Sequence, residues 1–318
     1  MKQSFFADHS LPCILEPETP ARATPAALAD WIETERMELR RRLDRHGAVL
    51  FRGFGLSGPG DFLHLAQTIT VTPLMPYSGG DAPRGRVHDL IYNSTDAPPE
   101  VEILAHNEKS YSAAYPRTIM FYCDRARMAG GATPLADGRR ILARLAPATA
   151  EAFRARGVTY IQNLHGGEGP GKSWFVTYES QDRAAVEAYL RKIGARFHWK
   201  DDGSLHVEET LKAVVHHPET KDEVLFTQAY YWHHSMYDAE TRTAMLANAR
   251  EDDLYHHARF GDGTAIGDDM LAELRATIRA ETVEFPWQVG DLLVVDNILA
   301  LHGRAPYQGE RRILVAMG

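Results

Sequence analysis

The chain has 318 residues, of which 44% are hydrophobic, and its 35 basic and 43 acidic side chains give a formal net charge of −8. This composition is typical of a globular protein with a substantial core. The scarcity of Lys/Arg runs argues against nucleic-acid or membrane-surface partners and favours small-molecule or protein partners. Two cysteines, Cys13 and Cys123, are too few for a disulfide framework, and no apolar run approaches the roughly 20 residues that cross a bilayer. We therefore expect a cytoplasmic protein.

The first predicted elements are a helix and a strand. Apolar residues recur at near-helical spacing over 24–46, and Thr24 precedes Pro25 as a helix-capping residue would. The apolar run within AVLFRGF (48–54) is ended by glycine and predicts a buried strand. The chain is thus expected to begin with a surface helix that leads into the core.

Short β-rich runs continue along the rest of the chain, separated by Gly, Pro, Asn and Asp. Regular alternation of strands with helices is missing, which favours a barrel or jelly roll over a parallel α/β sheet. The predicted strands are RVHDLIYN, EILAHNE, RTIMFYCD, GVTYIQNL, WFVTY, ARFHWK, VLFTQAYYW, TVEFPW, DLLVVDN and RRILVAM.

Helical segments interrupt these strands, and we expect them to cover a β core. They are predicted at 138–157, 182–194 and 238–250. The glycine-rich loops 77–86 and 165–173 are candidate lids. The sequence therefore predicts a single domain over residues 1–318, mostly β with helical covers, with inserted helical and lid segments around 138–260.

The stretch LAHNEKSY carries the first sign of chemistry. Residues i and i+2 of a strand point to the same face, so His106 and Glu108 can direct an imidazole and a carboxylate at one point. A third ligand must come from elsewhere, and the best candidate is His302, which follows the strand ending in Asp296 and Asn297. Two histidines and one carboxylate leave three positions open on an iron ion, as in non-haem Fe(II) oxygenases.

An arginine pair near the C-terminus strengthens the iron interpretation. A 2-oxo acid co-substrate chelates iron through its carboxylate and keto oxygens, and its far carboxylate then needs a fixed cation. Arg311 and Arg312 open the last predicted strand, and a guanidinium can bind a carboxylate through two parallel hydrogen bonds. Only one of two neighbouring strand residues can point into the barrel.

Alternatives from other classes use the same residues. The chain has 15 histidines, and a single buried histidine is more often a hydrogen-bonded structural group than a metal ligand. A zinc hydrolase could use a His/Glu/His set but would not need the arginine. A non-catalytic jelly-roll binding protein would need no metal. The conjunction of His-x-Glu, a distant histidine and a following arginine is much stronger than any part of it.

These residues resemble a known family, the TauD/TfdA-type Fe(II)/2-oxoglutarate dioxygenases. The resemblance is strongest to the branch related to clavaminate synthase and the SyrP-type amino-acid hydroxylases, and it runs over nearly the whole chain. The matching blocks are HGAVLFRGF (46–54), HNEKSY (106–111), YPRTIMFYCD (115–124), GGATPLADGRRIL (130–142), GVTYIQN (157–163), HPET (217–220), FTQA (226–229), FPWQVGDLLVVDN (285–297) and HGRAPYQGERRILVAMG (302–318).

The resemblance implies a fold, a cofactor and a set of site residues. The fold is a double-stranded β-helix (jelly roll), and the iron ligands are His106, Glu108 and His302. The far carboxylate of 2-oxoglutarate is held by Arg311 in a G-x-R pattern, or by Arg312 if the pair aligns as in the taurine-type members. A co-substrate threonine in a GGxT block falls on Thr133, and O2 is the second co-substrate.

The resemblance also implies hydroxylation of an unactivated C–H bond, with release of succinate and CO2. The expected substrate is a small amino-acid-like molecule, free or tethered to a carrier protein, in natural-product biosynthesis. Desaturation or ring formation is the alternative outcome of the same iron chemistry. Candidate substrate contacts are Asn93, Ser94, Ser110, Tyr111 and Gln228, although each could instead support a metal ligand.

Departures from the family pattern fall on the substrate segments. The branch's TSTEYP reads NSTDAP here, and its FNQ motif with a single following histidine reads FTQAYYWHH (226–234). The glutamate of GGETP is Ala132. The aromatic and histidine residues at 230–234 are interpreted as an aromatic core strand in preference to the wall of a pocket.

Overall fold

The structure is a computed structural model, and it describes residues 1–6, 9–70, 72–77 and 84–318. Part of the candidate lid at 77–86 therefore lies outside the described residues. No helix in the described part of the chain is both long and apolar enough to span a bilayer. Cys13 and Cys123 are buried free thiols.

Strands and α-helices alternate irregularly along the described chain. The strands are β1 (Lys2–Ser4), β2 (Cys13–Glu16), β3 (Ala48–Phe51), β4 (Arg86–His88), β5 (Ile91–Asn93), β6 (Ile103–His106), β7 (Thr118–Gly130), β8 (Leu135–Asp137), β9 (Val158–Leu164), β10 (Arg196–Trp199), β11 (Leu205–Leu211), β12 (Val214–His216), β13 (Glu223–Leu225), β14 (His256–Phe260), β15 (Leu292–Asp296), β16 (Ala300–Arg304) and β17 (Tyr307–Met317). The helices are α1 (Pro25–Thr34), α2 (Arg36–His46), α3 (Pro59–Ile69), α4 (Gly138–Arg144), α5 (Pro147–Arg156), α6 (Trp174–Thr177), α7 (Arg183–Lys192), α8 (Ala229–Trp232), α9 (Ala239–Asn248) and α10 (Asp268–Glu281).

An eight-stranded sheet, in the order β1-β2-β3-β15-β7-β17-β5-β4, organises the molecule. Alternating side chains of β7 enter two different cores, because successive residues of a strand point to opposite faces. Met120 and Tyr122 pack with the helical cover formed by α1 and α3. Ile119 and Phe121 pack on the other face with Leu135 and other residues of β8 and β16. The candidate site lies on this second face.

Three smaller sheets complete the described β structure. The three-stranded sheet β6-β16-β8 packs on the large sheet through Leu135 and Ala300, and the other two sheets are β10-β11-β9-β14 and β12-β13. Helices α4, α5, α8 and α10 share a third core with β9 and β14. The fold is therefore mixed α/β with several sheets. The prediction of a mostly β chain is only partly right, since the helices hold slightly more of the described residues than the strands.

The predicted N-terminal helix is confirmed in position but is divided in two. The Thr24 hydroxyl accepts a hydrogen bond from the Ala27 amide (3.2 Å), as a capping residue should. At Glu35 the backbone leaves helical geometry (φ −110°, ψ 28°), and α2 starts at Arg36. The segment at 138–157 divides similarly into α4 and α5 just before Pro147, whose ring disfavours helical backbone at the preceding residue.

Three strand predictions are wrong, wholly or in part. WFVTY forms the short helix α6, capped by the Ser173 hydroxyl. The run at 224–232 is strand only to Leu225 and then forms α8. TVEFPW contributes only a single bridge, between Val283 and Leu135. Short apolar runs cannot be assigned to strand or helix from periodicity alone, and aromatic side chains suit a buried helix equally well.

Candidate active site

Two histidines far apart in sequence are direct neighbours across two paired strands. His106 ends β6 and lies opposite His302 of β16 in the antiparallel register, and their ring centroids are 4.8 Å apart. Glu108, two residues beyond the end of β6, is 3% exposed. One ligand atom from each of the three side chains lies within 4.8 Å of those of the other two. His106 and Glu108, two positions apart in sequence, thus form a compact His/Glu/His group with His302, which we call the triad.

Asparagine side chains fix the backbone that carries the triad. The Asn297 side chain accepts a hydrogen bond from the Glu108 amide (2.7 Å) and donates one to the Glu108 carbonyl (3.0 Å). In return, Asn107 donates to the Asn297 carbonyl (2.7 Å). Both asparagines are fully buried. Sequence reasoning assigned neither a role, although the position of Asn107 between two predicted ligands was the available signal.

The short helix α8 provides a second support for the same backbone. Gln228, immediately before α8, donates from Nε2 to the Asn107 carbonyl (2.6 Å). Tyr230 donates its hydroxyl hydrogen bond to the Ala105 carbonyl (2.6 Å). Gln228 also lines the cavity beside His106. Gln228 was predicted either to contact substrate or to support a metal ligand. It lies in the wall of the cavity and also holds the backbone between His106 and Glu108.

The protonation of His106 suits metal binding. Its Nδ1 donates to the Leu104 carbonyl (2.9 Å), since a carbonyl can only accept, and this leaves the Nε2 lone pair free. Burial and the neighbouring His302 lower the pKa of His106 to about 4. Neither ring nitrogen of the buried His302 has a hydrogen-bond partner among the described residues. Buried polar atoms without hydrogen-bond partners are rare. A cation bound to one of the two nitrogens of His302 would give that nitrogen a partner.

Glu108 is ionised by a partner that the sequence did not indicate. Burial opposes its ionisation, but the positive charge of Arg84 outweighs burial and lowers the pKa of Glu108. Nη2 of Arg84 lies 2.6 Å from Oε2 of Glu108, and both side chains are 4% exposed. The Arg84 guanidinium also stacks on Tyr77, 4.3 Å from the ring centroid. The carboxylate is therefore anionic and already fixed in direction.

The two arginines of the C-terminal pair have different environments. Arg311 lines the cavity that also contains His106 and His302, and its Nε donates to the Gly131 carbonyl (2.9 Å). Burial, with the nearby Arg304, lowers its pKa to about 10, so it stays cationic at neutral pH. Arg312 points away and pairs with Asp124 (3.2 Å).

Thr133 lies beside Arg311 in the wall of this cavity. It is 2% exposed, and its hydroxyl accepts a hydrogen bond from the Trp287 indole (3.0 Å). Nη2 of Arg311 lies 3.4 Å from the same oxygen. The threonine and the guanidinium thus form one polar corner opposite the two histidines.

The remaining predicted substrate residues are not brought together at one point. Ser94 lines the cavity with the histidines, and Tyr111 lines the adjoining one with Glu108. Asn93 bonds Asp96 (3.0 Å) and lines a more open cleft on the Arg312 side. Ser110 is buried, and its hydroxyl has no hydrogen-bond partner among the described residues.

A second cluster, of two aspartates and a histidine, has its negative charge balanced by an arginine and needs no metal. Asp44, His217 and Asp296 also bring their ligand atoms within 4.8 Å. The Arg40 guanidinium, however, lies 2.7 Å from Asp296 and pairs with Asp44 as well. This cluster is therefore an ion-pair network, whereas His106 and His302 of the triad line a cavity.

The profile of the family described as taurine catabolism dioxygenase TauD, TfdA family matches residues 15–317. The chain belongs to this family and is an iron- and 2-oxoglutarate-dependent dioxygenase. The triad fits an iron ion, because it offers two neutral imidazoles and an ionised carboxylate and leaves a buried histidine without a partner. The resemblance, the enzyme class and the cofactors expected from the sequence are confirmed.

Two relatives by sequence and one solved structure are similar to the chain over most of its length. The chain is 33% identical over 275 residues to the dapdiamide synthesis protein DdaC of Enterobacter agglomerans, covering 86% of this chain and 83% of that protein. It is 26% identical to a clavaminate synthase-like protein of Arabidopsis thaliana, covering 99% and 96%. The structure of PvcB, an Fe, alpha-ketoglutarate dependent oxygenase from an isonitrile synthetic pathway, matches with a TM-score of 0.52 at 15% identity, covering 100% of this chain and 94% of that chain. This last likeness concerns the fold.

Replacing Asn297 by alanine should lower the free energy of unfolding by about 3 kcal/mol, because it leaves the buried Glu108 amide and carbonyl without their partners. Urea unfolding followed by circular dichroism measures the change. The matched control is Asn248→Ala at the exposed end of α9, which should change stability by less than about 0.5 kcal/mol. Equal stability of the two variants would contradict the supporting role of Asn297.

Proposed function

We propose that this single-domain dioxygenase, built on a double-stranded β-helix, hydroxylates an unactivated C–H bond of a small amino-acid-like substrate. His106, Glu108 and His302 would hold the iron. Arg311, with Thr133, would bind the far carboxylate of 2-oxoglutarate. The observation that carries the proposal is that one cavity has both histidines in its wall and a buried guanidinium beside them. A cytoplasmic location stays a prediction.

Different side chains of the protein position the co-substrate and the metal ligands. Arg311 stays cationic in a buried site, so it can bind a carboxylate at a fixed distance from the triad. The hydrogen bond that Nδ1 of His106 donates to the Leu104 carbonyl leaves the Nε2 lone pair available to a metal. Iron with 2-oxoglutarate and O2 supplies the oxidation of the C–H bond and releases succinate and CO2.

The surroundings of Arg84 favour a substrate that carries a carboxylate. Its guanidinium lines the cavity next to Glu108, and Nε and Nη1 have no hydrogen-bond partner among the described residues. Leaving charged donors unsatisfied in a buried position is costly, and an anionic group in the cavity would satisfy them. Arg84, Arg304 and Arg311 all line the cavity that contains the two histidines. Amino acids bring the required carboxylate.

The size of the cavity also favours a small substrate. The space bounded by Tyr77, Arg84, Tyr111 and Tyr231 is about 170 Å³, below the roughly 300–1,000 Å³ typical of sites for drug-sized ligands. The names of DdaC and PvcB refer to synthetic pathways, which supports a role in natural-product biosynthesis. An amino acid, free or held by a carrier protein, meets these requirements.

Incubation with a panel of amino acids and aminoacyl-carrier proteins tests the substrate. We expect one carboxylate-bearing substrate to give equal amounts of succinate and of a product with one added oxygen atom. A product that has lost two hydrogens would instead identify desaturation or ring formation. Succinate release that is independent of every amino acid, with no modified product, would contradict the proposed substrate class.

Replacing Arg84 by glutamine should raise the KM for the amino-acid substrate about 10–100-fold, because charged hydrogen bonds contribute roughly 1.5–3 kcal/mol. Steady-state kinetics at saturating 2-oxoglutarate measures this change. Arg86→Gln is the matched control, since Arg86 lies two residues away and is exposed. We expect its KM to equal that of the native protein. A rise of the same size in both variants would contradict direct recognition by Arg84.

A further inference from the structure

A group of three histidines lies outside the candidate active site. His233 and His234 follow α8, His257 lies on β14, and these residues are 3%, 1% and 3% exposed. One ligand atom from each lies within 4.8 Å of those of the other two. The ring centroids of His233 and His234 are 4.0 Å apart, and those of His234 and His257 are 5.5 Å apart. We call these three residues the histidine cluster.

Glu251 adds a carboxylate to the histidine cluster. Its Oε1 lies 3.0 Å from Nε2 of His234, and its Oε2 lies 3.6 Å from Nε2 of His257. The Glu251 side chain is 48% exposed and, with His257, lines a cleft that opens to solvent. An ion could therefore reach buried imidazoles past one carboxylate, as a metal site requires.

The cluster has unused bonding capacity. Nδ1 of His234 and Nδ1 of His257 are buried and have no hydrogen-bond partner among the described residues. Burial lowers the pKa of His233 to about 3 and that of His257 to about 4, so both imidazoles are neutral near pH 7. A neutral imidazole is the form that binds metals. Nε2 of His234 and Nε2 of His257 face Glu251 and would be the ligand atoms of these two rings. Nδ1 of His233 already accepts a hydrogen bond from the Ser235 amide (3.1 Å), so His233 would bind through Nε2.

Two nearby arginines are engaged elsewhere. Arg259 pairs with Asp252 (2.7 Å) and Glu208 (3.1 Å). Arg242 pairs with Asp268. These carboxylates offset the charges of Arg259 and Arg242. Arg250 also lines the cleft, but its side chain is exposed to solvent.

We propose that the histidine cluster and Glu251 bind one Zn²⁺ ion in a tetrahedral site separate from the triad. Three imidazole nitrogens and one carboxylate oxygen form a ligand set that suits zinc. With zinc about 2 Å from each ligand, the ligand atoms of a tetrahedral site are roughly 3.3 Å apart. The histidine ligand atoms lie within 4.8 Å of one another, so a contraction of up to about 1.5 Å would bring them to this spacing, and Oε1 of Glu251 is already 3.0 Å from Nε2 of His234.

The site is structural in character, because four protein ligands leave no position for a substrate. It joins the end of α8 to β14 through side chains from both. The same α8 segment carries Gln228 and Tyr230, which bond the backbone beside the triad. Zinc would therefore fix the helix that supports the candidate iron ligands.

Cobalt binding tests the site in the full-length protein. Co²⁺ replaces zinc, and a tetrahedral Co²⁺ ion gives much stronger visible absorption than one with more ligands. The double variant His106→Ala/Glu108→Ala removes the proposed iron site, so the result does not depend on that assignment. We expect this variant, after treatment with a chelator, to bind one Co²⁺ per chain with tetrahedral absorption, and excess Zn²⁺ should displace it.

Further substitutions in the double variant assign the ligands. His257→Gln should abolish the tetrahedral absorption, and Glu251→Gln should weaken cobalt binding at least about tenfold. Glu251 is half exposed, so its variant keeps the proposal testable if His257→Gln does not fold. His198→Gln, an exposed histidine on β10, is the matched control and should bind as before. No tetrahedral absorption in the double variant, or unchanged affinity in folded Glu251→Gln, would overturn the proposal.

Discussion

Replacing Glu108 by alanine is expected to lower 2-oxoglutarate turnover by at least about 100-fold. Loss of a direct ligand should exceed the 10–100-fold cost of losing a group that merely orients one. The substitution also leaves the Arg84 guanidinium buried without its carboxylate, which destabilises the remaining site. Succinate formation at saturating Fe(II) and 2-oxoglutarate measures the effect, with iron content determined on the same sample.

The matched control for this variant is Glu102→Ala. Glu102 precedes β6, lies 46% exposed and pairs with Arg279 on the surface. Surface ion pairs of this kind contribute at most about 1 kcal/mol, so turnover should stay within twofold of the native value. Native turnover and native iron content in Glu108→Ala would exclude Glu108 as an iron ligand.

Replacing Arg311 by glutamine should raise the KM for 2-oxoglutarate by at least about 30-fold. Truncating one partner of a buried charge pair costs about 2–5 kcal/mol, and each 1.4 kcal/mol corresponds to a factor of ten. Glutamine keeps a hydrogen-bond donor but removes the positive charge. Initial rates of succinate formation across 2-oxoglutarate concentrations measure the change.

Arg312→Gln distinguishes the two neighbouring arginines. Arg312 is 36% exposed and bonds Asp124 on the outer side of β17. Its loss should leave the KM for 2-oxoglutarate unchanged. If Arg312→Gln instead raises the KM and Arg311→Gln does not, the co-substrate is bound by the other arginine.

The strands that build the site were predictable because their sequences carry strong local signals. β15 and the inner part of β17 are continuous apolar runs, as expected for strands buried on both faces. The pairing of His302 with His106 was not visible in local sequence, because register across 196 residues depends on how the sheets pack. The conjunction of His-x-Glu with a distant histidine and a following arginine indicated His302, and the family resemblance implied the same residue.

The residues that contact and hold the triad were the hardest to predict from the sequence. Arg84 comes from a glycine-rich loop without periodicity, and only the folded chain brings it to Glu108. The helix α8 was hidden in an aromatic run that suits a strand equally well. Its assignment to a strand also hid the histidine cluster, because the turn after α8 places His233 and His234 beside His257.

The most direct test of the iron and 2-oxoglutarate site is anaerobic addition of Fe(II) and 2-oxoglutarate to the full-length protein. Chelation of iron by a 2-oxo acid gives a weak visible metal-to-ligand charge-transfer band. We predict this band in the native protein and its loss in both His106→Ala and Glu108→Ala. Absence of the band in the native protein, or an unchanged band in both variants, would contradict the assignment.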